Sequence, residues 1–249
     1  ARAAVDRAGE AVHDWFGYVP NAEIVVQPFP AYMKASGGGY YSAGSPDGVR
    51  PGTYELGTYQ PATISKAGLE ATAFHESYPG HHLQFSVALF GGGVPPVLRY
   101  KYVAAMAEGW GLYSELLADE MGVYSGPLDR LGMLSNQALR AARLVVDPGM
   151  HVLGWTREQA VEYMLANTAE SRRAVESEVD RYLATPGQAT AYMIGMLEIL
   201  RQRQRAMDAL GPQFDLKGFH RAVLSSGAVP LTLLDDVVDR YIADAQATP

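Results

Sequence analysis

The sequence predicts a mainly α-helical protein with a small antiparallel β-sheet packed near one helix. Residues 22–60 are rich in Gly, Pro, Tyr and β-branched residues, and short strand-like pieces alternate there with turn clusters. Residues 65–249 instead follow a helical pattern that is interrupted at Pro and Gly residues. No internal repeat or linker-like tract divides the chain, so a single domain over residues 1–249 is the simplest organisation.

The elements follow one another in a simple order. Apolar residues at helical spacing, among them Val5, Ala8 and Val12, predict a first helix over residues 1–18. Strands are then expected at residues 23–27, 39–42 and 53–58. Six or more helices follow, separated at Gly91-Gly92-Gly93, Pro95-Pro96, Ser125-Gly126-Pro127, Asp147-Pro148-Gly149 and Pro186-Gly187.

The composition narrows the classes of function. The 249 residues carry a formal net charge of -7 with a pI near 5.4. The sequence has no block of Lys and Arg residues of the kind that contacts the phosphates of a nucleic acid, so nucleic acid is not an expected partner. The chain has no Cys, so a metal site would use His and carboxylate ligands. No apolar run reaches the roughly 18 residues of a membrane span. With no leader visible, a soluble protein is expected, either cytoplasmic or exported.

Residues 74–84 contain the pattern from which a chemical function can be inferred. Three of the six His residues stand here beside Glu76. In a zincin helix, His residues at i and i+4 bind one zinc ion, and the Glu at i+1 acts as general base. His75 and Glu76 fit this pattern, but Pro79 occupies position i+4. Proline cannot bind a metal, and it interrupts the helix.

The Pro79-Gly80 pair decides which His could share a metal with His75. A bend that adds about two residues would bring His81 to the place of the missing ligand, whereas in an undistorted helix His82 would lie about 10 Å along the axis from His75. We therefore expect His81 to be the second ligand. His82 is kept as a hydrogen-bond partner of the site, a substrate contact or an alternative ligand.

A third ligand is expected because a catalytic zinc site uses three protein ligands and leaves one position open. Glu108 lies among small and aromatic residues on the next predicted helix. Spacing alone leaves open whether Glu108 binds a metal or is a surface acid of an amphipathic helix. Glu115 lies two turns later on the same face, where it could hold a ligand His by a hydrogen bond or serve as the alternative ligand.

The motifs together resemble a bacterial family known as domain of unknown function 885. The resemblance runs from about Tyr40 to the C-terminus, and it rests on HExxPGHHLQ at residues 75–84, AEGWxLYxE at 107–115, RLVVDPGMH at 143–151 and PGQATAYMIG at 186–195. Members of that family are usually much longer. The chain therefore resembles their C-terminal half, and an N-terminal helical half or a second copy of the chain is a candidate partner.

The segment from Gly80 to Leu83 is also similar to the Gly-His-x-Leu ending of the motif in helical gluzincin peptidases of the oligopeptidase and carboxypeptidase Taq groups. This resemblance implies a gluzincin-like metallopeptidase domain in which His75, His81 and Glu108 bind Zn²⁺ and Glu76 activates a zinc-bound water. Tyr192 and His151 are then the candidates for stabilising the oxyanion of the transition state.

Four further residues are candidates for substrate contacts. Arg140 and Arg143 lie one helical turn apart and could bind a substrate carboxylate. Tyr40 and Tyr41, in a predicted strand near the site, could line the cleft.

Zinc-dependent cleavage of peptides is thus the expected activity. Two alternatives stay open, namely hydrolysis of a small non-peptide amide at the same site and a non-catalytic role as one half of a split enzyme. His13 and His220 show no partner in the sequence, and both are expected to be surface or helix-capping side chains.

Overall fold

The computed structural model describes residues 1–33, 38–61 and 65–247. The predicted mainly helical class with a small sheet is confirmed over these ranges. The strands are β1 (Ile24–Pro28), β2 (Gly39–Ser42) and β3 (Gly52–Leu56). The helices are α1 (Arg2–Ala11), α2 (Leu69–Glu76), α3 (His81–Phe90), α4 (Pro96–Arg99), α5 (Ala104–Glu120), α6 (Pro127–His151), α7 (Arg157–Asn167), α8 (Arg172–Ala184), α9 (Ala191–Leu210), α10 (Leu216–Ser225) and α11 (Leu234–Ala247).

The β-sheet is mixed, so the prediction of a purely antiparallel sheet is wrong. The strand order is β1-β3-β2, in which β3 pairs antiparallel with β2 and parallel with β1. The chain reverses direction at each of the two connections, so β1 and β3 run the same way. They pair in parallel because β3 lies between the other two strands. The sheet packs near α2 as expected, and a Cβ atom on Gly39 would lie 2.9 Å from the Cγ2 atom of Thr72.

A tight turn over residues 77–80 separates α2 from α3, at the position where Pro79 predicts a helix break. The Tyr78–Pro79 peptide bond is cis. The N–H of Gly80 donates to the carbonyl oxygen of Phe74 at 3.0 Å. A Cβ atom on Gly80 would lie 1.9 Å from the carbonyl oxygen of His75, so only glycine allows the chain to pass this close to the end of α2. The turn therefore places the first residue of α3 beside the last turn of α2.

Helix α5 lies at the centre of the fold. Its Trp110, Tyr113 and Leu117 side chains are fully buried in the largest apolar core, together with side chains of α3, α9, α10 and α11. The indole N–H of Trp110 donates to the carbonyl oxygen of Pro79 at 2.9 Å. This bond fixes the turn between α2 and α3 against α5. Smaller cores lie between α6, α7 and α8 and between α1, α2 and β3.

Glycine residues allow α5 and α9 to cross with their backbones in contact. A Cβ atom on Gly109 would lie 2.4 Å from the Cα atom of Gly195, and one on Gly195 would lie 1.9 Å from the carbonyl oxygen of Ala105. Neither position could carry a larger residue without moving one helix away from the other. The close crossing brings the N-terminal turn of α9, with Tyr192, toward the residues around Glu108.

Two helix boundaries differ from the sequence-based expectation. Helix α1 ends at Ala11 and continues only as a short 3₁₀ turn at Val12–Asp14. Helix α6 does not stop at Asp147 but runs through Pro148 to His151. Packing on both sides outweighs the lost backbone hydrogen bond: Asp147 accepts from the N–H of Gly187 at 3.1 Å, and α6 packs so closely on Trp155 that a Cβ atom on Gly149 would meet its ring at 2.8 Å.

His220 is fully buried, so the expectation that it is a surface residue is wrong. Its Nε2 atom lies 2.8 Å from the Tyr113 hydroxyl, and its Nδ1 atom lies 3.1 Å from the carbonyl oxygen of Trp15. Burial lowers the pKa of His220 to about 3, so its ring is neutral at physiological pH. His220 therefore links α10 by hydrogen bonds to α5 and to the segment after α1.

Candidate metal centre

Three side chains from three helices meet at one point beside the α2–α3 turn. His75 comes from α2, His81 from the start of α3 and Glu108 from α5, and all three are buried. The Glu108 Oε2 atom lies 3.5 Å from the His75 Nε2 atom and 3.6 Å from the His81 Nε2 atom. One potential ligand atom from each residue lies within 4.8 Å of the other two. The bend at Pro79 and Gly80 thus brings His81 beside His75, and α5 adds Glu108 to the pair.

The spacing of these atoms suits a small divalent cation. Zn²⁺ binds His nitrogen and carboxylate oxygen at roughly 2.0–2.2 Å with tetrahedral geometry, which places two ligand atoms about 3.4 Å apart. The two His–Glu separations in this cluster come close to that value. Two imidazoles and one carboxylate also form a donor set of known catalytic zinc sites, which keep one position open.

A second hydrogen-bonded layer holds the ring of His75 in place. Its Nδ1–H donates to the Glu115 Oε1 atom at 2.9 Å, which leaves Nε2 facing Glu108. Glu115 is completely buried and in turn accepts from the Asn136 side chain at 3.2 Å, and the Arg140 guanidinium lies 3.7 Å away. Such a carboxylate–imidazole pair fixes the tautomer and strengthens a His ligand. Glu115 lies where the sequence predicts a partner of a ligand His.

The other two residues of the cluster are also oriented by hydrogen bonds. The His81 Nδ1 atom lies 3.2 Å from the Gln84 Oε1 atom, and the Gln84 amide donates to the carbonyl oxygen of Met106 at 3.3 Å. The Tyr102 hydroxyl donates to the Glu108 Oε1 atom, so the Oε2 atom is the one that faces both imidazoles. Each residue therefore presents a single donor atom to the centre.

His82 is turned away from this cluster. Its Nδ1 atom lies 3.0 Å from the Tyr41 hydroxyl, and its Nε2 atom lies 3.1 Å from both the Ala22 carbonyl oxygen and the Tyr78 hydroxyl. Burial lowers the pKa of His82 to about 4, and the ring is neutral. Within the part of the chain that the structure describes, His82 does not join His75 and Glu108, so its alternative as a ligand finds no geometric support.

Glu76 ends α2 directly after His75 and is largely buried. It is not among the three residues whose ligand atoms converge. Burial raises the pKa of Tyr54 on β3, and the charge of Glu76 raises it further; the same charge contributes to the raised pKa of His75. Glu76 is therefore a carboxylate that follows His75 directly and acts electrostatically on its ring.

The protonation of His75 links the site to pH. Burial disfavours the charged imidazole, but hydrogen bonds with Glu108 and Glu115 outweigh it and raise the pKa of His75 to about 10. In the same way, burial would raise the pKa of Glu108, but its hydrogen bonds with both His rings hold it well below its usual range. A cation that binds the Nε2 atom of His75 must displace the proton held there.

We therefore expect metal binding at pH 7 to release about one proton from His75 per metal ion. The affinity should rise about tenfold per pH unit up to the pKa of His75, because protons compete with the metal below it. Isothermal titration with zinc in buffers of different ionisation enthalpy measures the number of protons released. Release of none, with pH-independent affinity, would show that His75 is neutral in the free site.

Tyr192 lies beside the cluster. Its ring stacks on His75 with 6.1 Å between ring centroids, and its hydroxyl accepts from the Gln188 side chain at 3.4 Å. Burial and the charge of Glu108 raise the pKa of Tyr192, although Arg143 opposes them, so the phenol keeps its proton. Tyr192 is thus a protonated donor near the point where the three ligand atoms meet.

Arg140 and Arg143 flank the ring of Tyr192 at 5.7 and 4.8 Å from its centroid. Arg143 also donates to the Tyr182 hydroxyl and to Glu178. Within residues 1–33, 38–61 and 65–247, the buried Arg140 Nε and Arg143 Nη1 atoms have no hydrogen-bond partner. The two residues support Tyr192, and their binding of a substrate carboxylate stays a prediction.

His151 is not brought to the cluster. It is exposed at the end of α6, where its Nε2 atom lies 3.1 Å from the carbonyl oxygen of Tyr182. Asn136 and Arg140 are residues of α6 that lie near Glu115, and His151, 11 positions after Arg140, is about 16 Å further along the helix. The geometry therefore favours Tyr192 over His151 as the donor to an oxyanion.

Tyr40 and Tyr41 face opposite sides of β2. Tyr41 is buried against His82, whereas Tyr40 is exposed and close enough to Tyr102 to act on it electrostatically. Of the two, Tyr40 is therefore the one that stays a candidate for a substrate contact near Tyr102.

Sequence reasoning missed Gln84, Tyr102 and Asn136. Gln84 follows His81 at i+3, a spacing that places both on one helix face, so this signal was present. Tyr102 reaches the site from the loop before α5, and Asn136 reaches it from α6. No residue spacing in the sequence predicts either contact.

Comparison with known proteins places the chain among longer bacterial proteins. A crystal structure described as "the putative lipoprotein from Colwellia psychrerythraea" shares 38% identity with a TM-score of 0.93, covering 98% of this chain and 42% of that one. A "putative lipoprotein of unknown function from Shewanella oneidensis" shares 25% identity with a TM-score of 0.75, covering 98% and 45%. The chain thus spans less than half the length of these two proteins.

The curated proteins searched include no match to this chain. No helix in the described ranges is long and apolar enough to cross a membrane. The family model described as "Bacterial protein of unknown function (DUF885)" matches residues 1–238, and the chain belongs to this family.

Proposed function

We propose that the chain is a zinc-dependent hydrolase that cleaves peptide bonds at the His75–His81–Glu108 cluster. The observation that carries this proposal is the convergence of two imidazole nitrogens on one carboxylate oxygen, at separations close to those in a tetrahedral zinc site, with Glu76 directly after His75 in α2. A structural zinc site would fill all four positions with protein ligands, whereas three ligands with a free neighbouring base suit catalysis.

The three ligand residues would hold the cation through His75 Nε2, His81 Nε2 and Glu108 Oε2. When bound there, a zinc ion supplies Lewis-acid chemistry, in that it polarises a carbonyl oxygen and acidifies water. Glu115 and Gln84 keep the two imidazoles in the tautomer that presents Nε2. These contacts favour a preorganised site in which the ligands need not rearrange.

The protein's own groups would perform the proton transfers. Glu76 takes a proton from the attacking water and passes it to the nitrogen of the leaving amine, so that the C–N bond breaks and a carboxylate and an amine form. The Tyr192 phenol, whose ring stacks on His75, would donate a hydrogen bond to the oxyanion that develops on the carbonyl oxygen. A donor whose bond strengthens only in the transition state increases kcat.

Removal of the metal tests this proposal. We expect the purified chain to cleave members of a mixed peptide library, to lose this activity on treatment with 1,10-phenanthroline, and to regain it on addition of Zn²⁺ but not Mg²⁺. Mass spectrometry of the digest identifies the bonds cleaved. A parallel panel of small amides tests the alternative substrate class.

The outcomes are distinct. Cleavage of the amide panel alone would replace the peptide substrate and keep the metal chemistry. Hydrolysis that survives complete zinc removal, or no hydrolysis of any substrate by the zinc-loaded chain, would contradict the proposal.

A further inference from the structure

The two oxygens of Glu108 have different surroundings. Oε2 faces both imidazoles at 3.5 and 3.6 Å, while Oε1 accepts a hydrogen bond from the Tyr102 hydroxyl. A carboxylate can bind a cation through one oxygen or through both. The hydrogen bond from Tyr102 occupies Oε1, which Glu108 would need in order to bind a cation through both oxygens.

The position of Tyr102 follows from the direction of helical side chains. Side chains of a helix tilt toward its N-terminus, so Glu108, in the second turn of α5, points back toward the segment that precedes the helix. Tyr102 lies in that segment, just before the first residue of α5, and its ring is 54% exposed. Its hydroxyl reaches inward while its ring forms part of the outer surface beside the cluster.

We propose that Tyr102 is a positioning residue that restricts Glu108 to coordination through Oε2 alone. Its hydrogen bond holds Oε1 away from the cation, so the site has three protein donors and keeps an exchangeable fourth position. This inference rests on the metal binding of the proposed function. It adds to that function a residue, Tyr102, that controls the coordination number of the metal. Tyr102 lies outside all four sequence motifs.

The spectrum of the cobalt-substituted protein tests this role without any activity assay. Four-coordinate Co²⁺ absorbs visible light more strongly than five- or six-coordinate Co²⁺. The Tyr102→Phe variant keeps the ring and removes only the hydroxyl, which frees Oε1 to bind the cation. We expect weaker visible absorption per bound cobalt, because a second carboxylate oxygen raises the coordination number above four.

Tyr100→Phe is the matched control. Tyr100 lies two residues earlier in the same segment and is exposed, and its change should leave spectrum and affinity as in the unmodified protein. Thermal unfolding of the metal-free variants shows whether either substitution disturbs the fold.

A Tyr102→Phe protein that binds cobalt with an unchanged spectrum would overturn this inference and leave the proposed function standing. Failure of the unmodified chain to bind cobalt or zinc would overturn both it and the proposed function.

Discussion

Replacing Glu76 with Gln is expected to lower kcat for peptide hydrolysis by about 100- to 10,000-fold, the range that general base catalysis contributes. Gln has nearly the same shape but cannot accept a proton. Glu76 does not belong to the converging ligand set, so the variant should bind zinc with unchanged stoichiometry. Steady-state kinetics and elemental analysis of the same preparation measure both quantities.

Glu158→Gln is the control for this experiment. Glu158 is exposed in the first turn of α7, and the same chemical change there should leave kcat unaltered. The pair also separates the activity of this chain from that of a contaminating peptidase, because both variants are purified identically. Full activity in Glu76→Gln would remove Glu76 from the mechanism.

The site was predictable because its key information is local. His75, Glu76 and His81 stand within seven consecutive residues, and Pro79 and Gly80 announce where the helix must break. Gly80 is required because a Cβ atom at this position would lie only 1.9 Å from the carbonyl oxygen of His75. The choice of His81 over His82 also followed from the displacement that this break produces.

Other features depend on contacts between distant segments. The parallel pairing of β1 with β3 follows from strand order, and alternation of residues within a strand carries no information on that order. Pro148 and Gly149 are typical of a helix end, but contacts with Trp155 and Gly187 keep α6 intact. The burial of His220 depends on the packing of α10 against α5, and the local sequence contains no information on that packing.

Removal of Glu108, the proposed third ligand, should have the other large effect. We expect Glu108→Ala to lower zinc affinity by well over 100-fold, more than the 10- to 100-fold loss that follows removal of a mere hydrogen-bond partner. Ala leaves two His rings to hold the cation and also removes the acceptor of the Tyr102 hydroxyl. Glu120→Ala, at the exposed end of the same helix, is the control and should bind zinc normally.

Anomalous scattering above and below the zinc absorption edge is the most direct measurement, applied to zinc-grown crystals of the unmodified chain and of Glu108→Ala. We predict one peak in the unmodified chain, about 2.0–2.2 Å from His75 Nε2, His81 Nε2 and Glu108 Oε2, and its loss in the variant. An absent peak at this point, a peak at His82 instead, or an undiminished peak in Glu108→Ala would contradict a cation shared by these three residues.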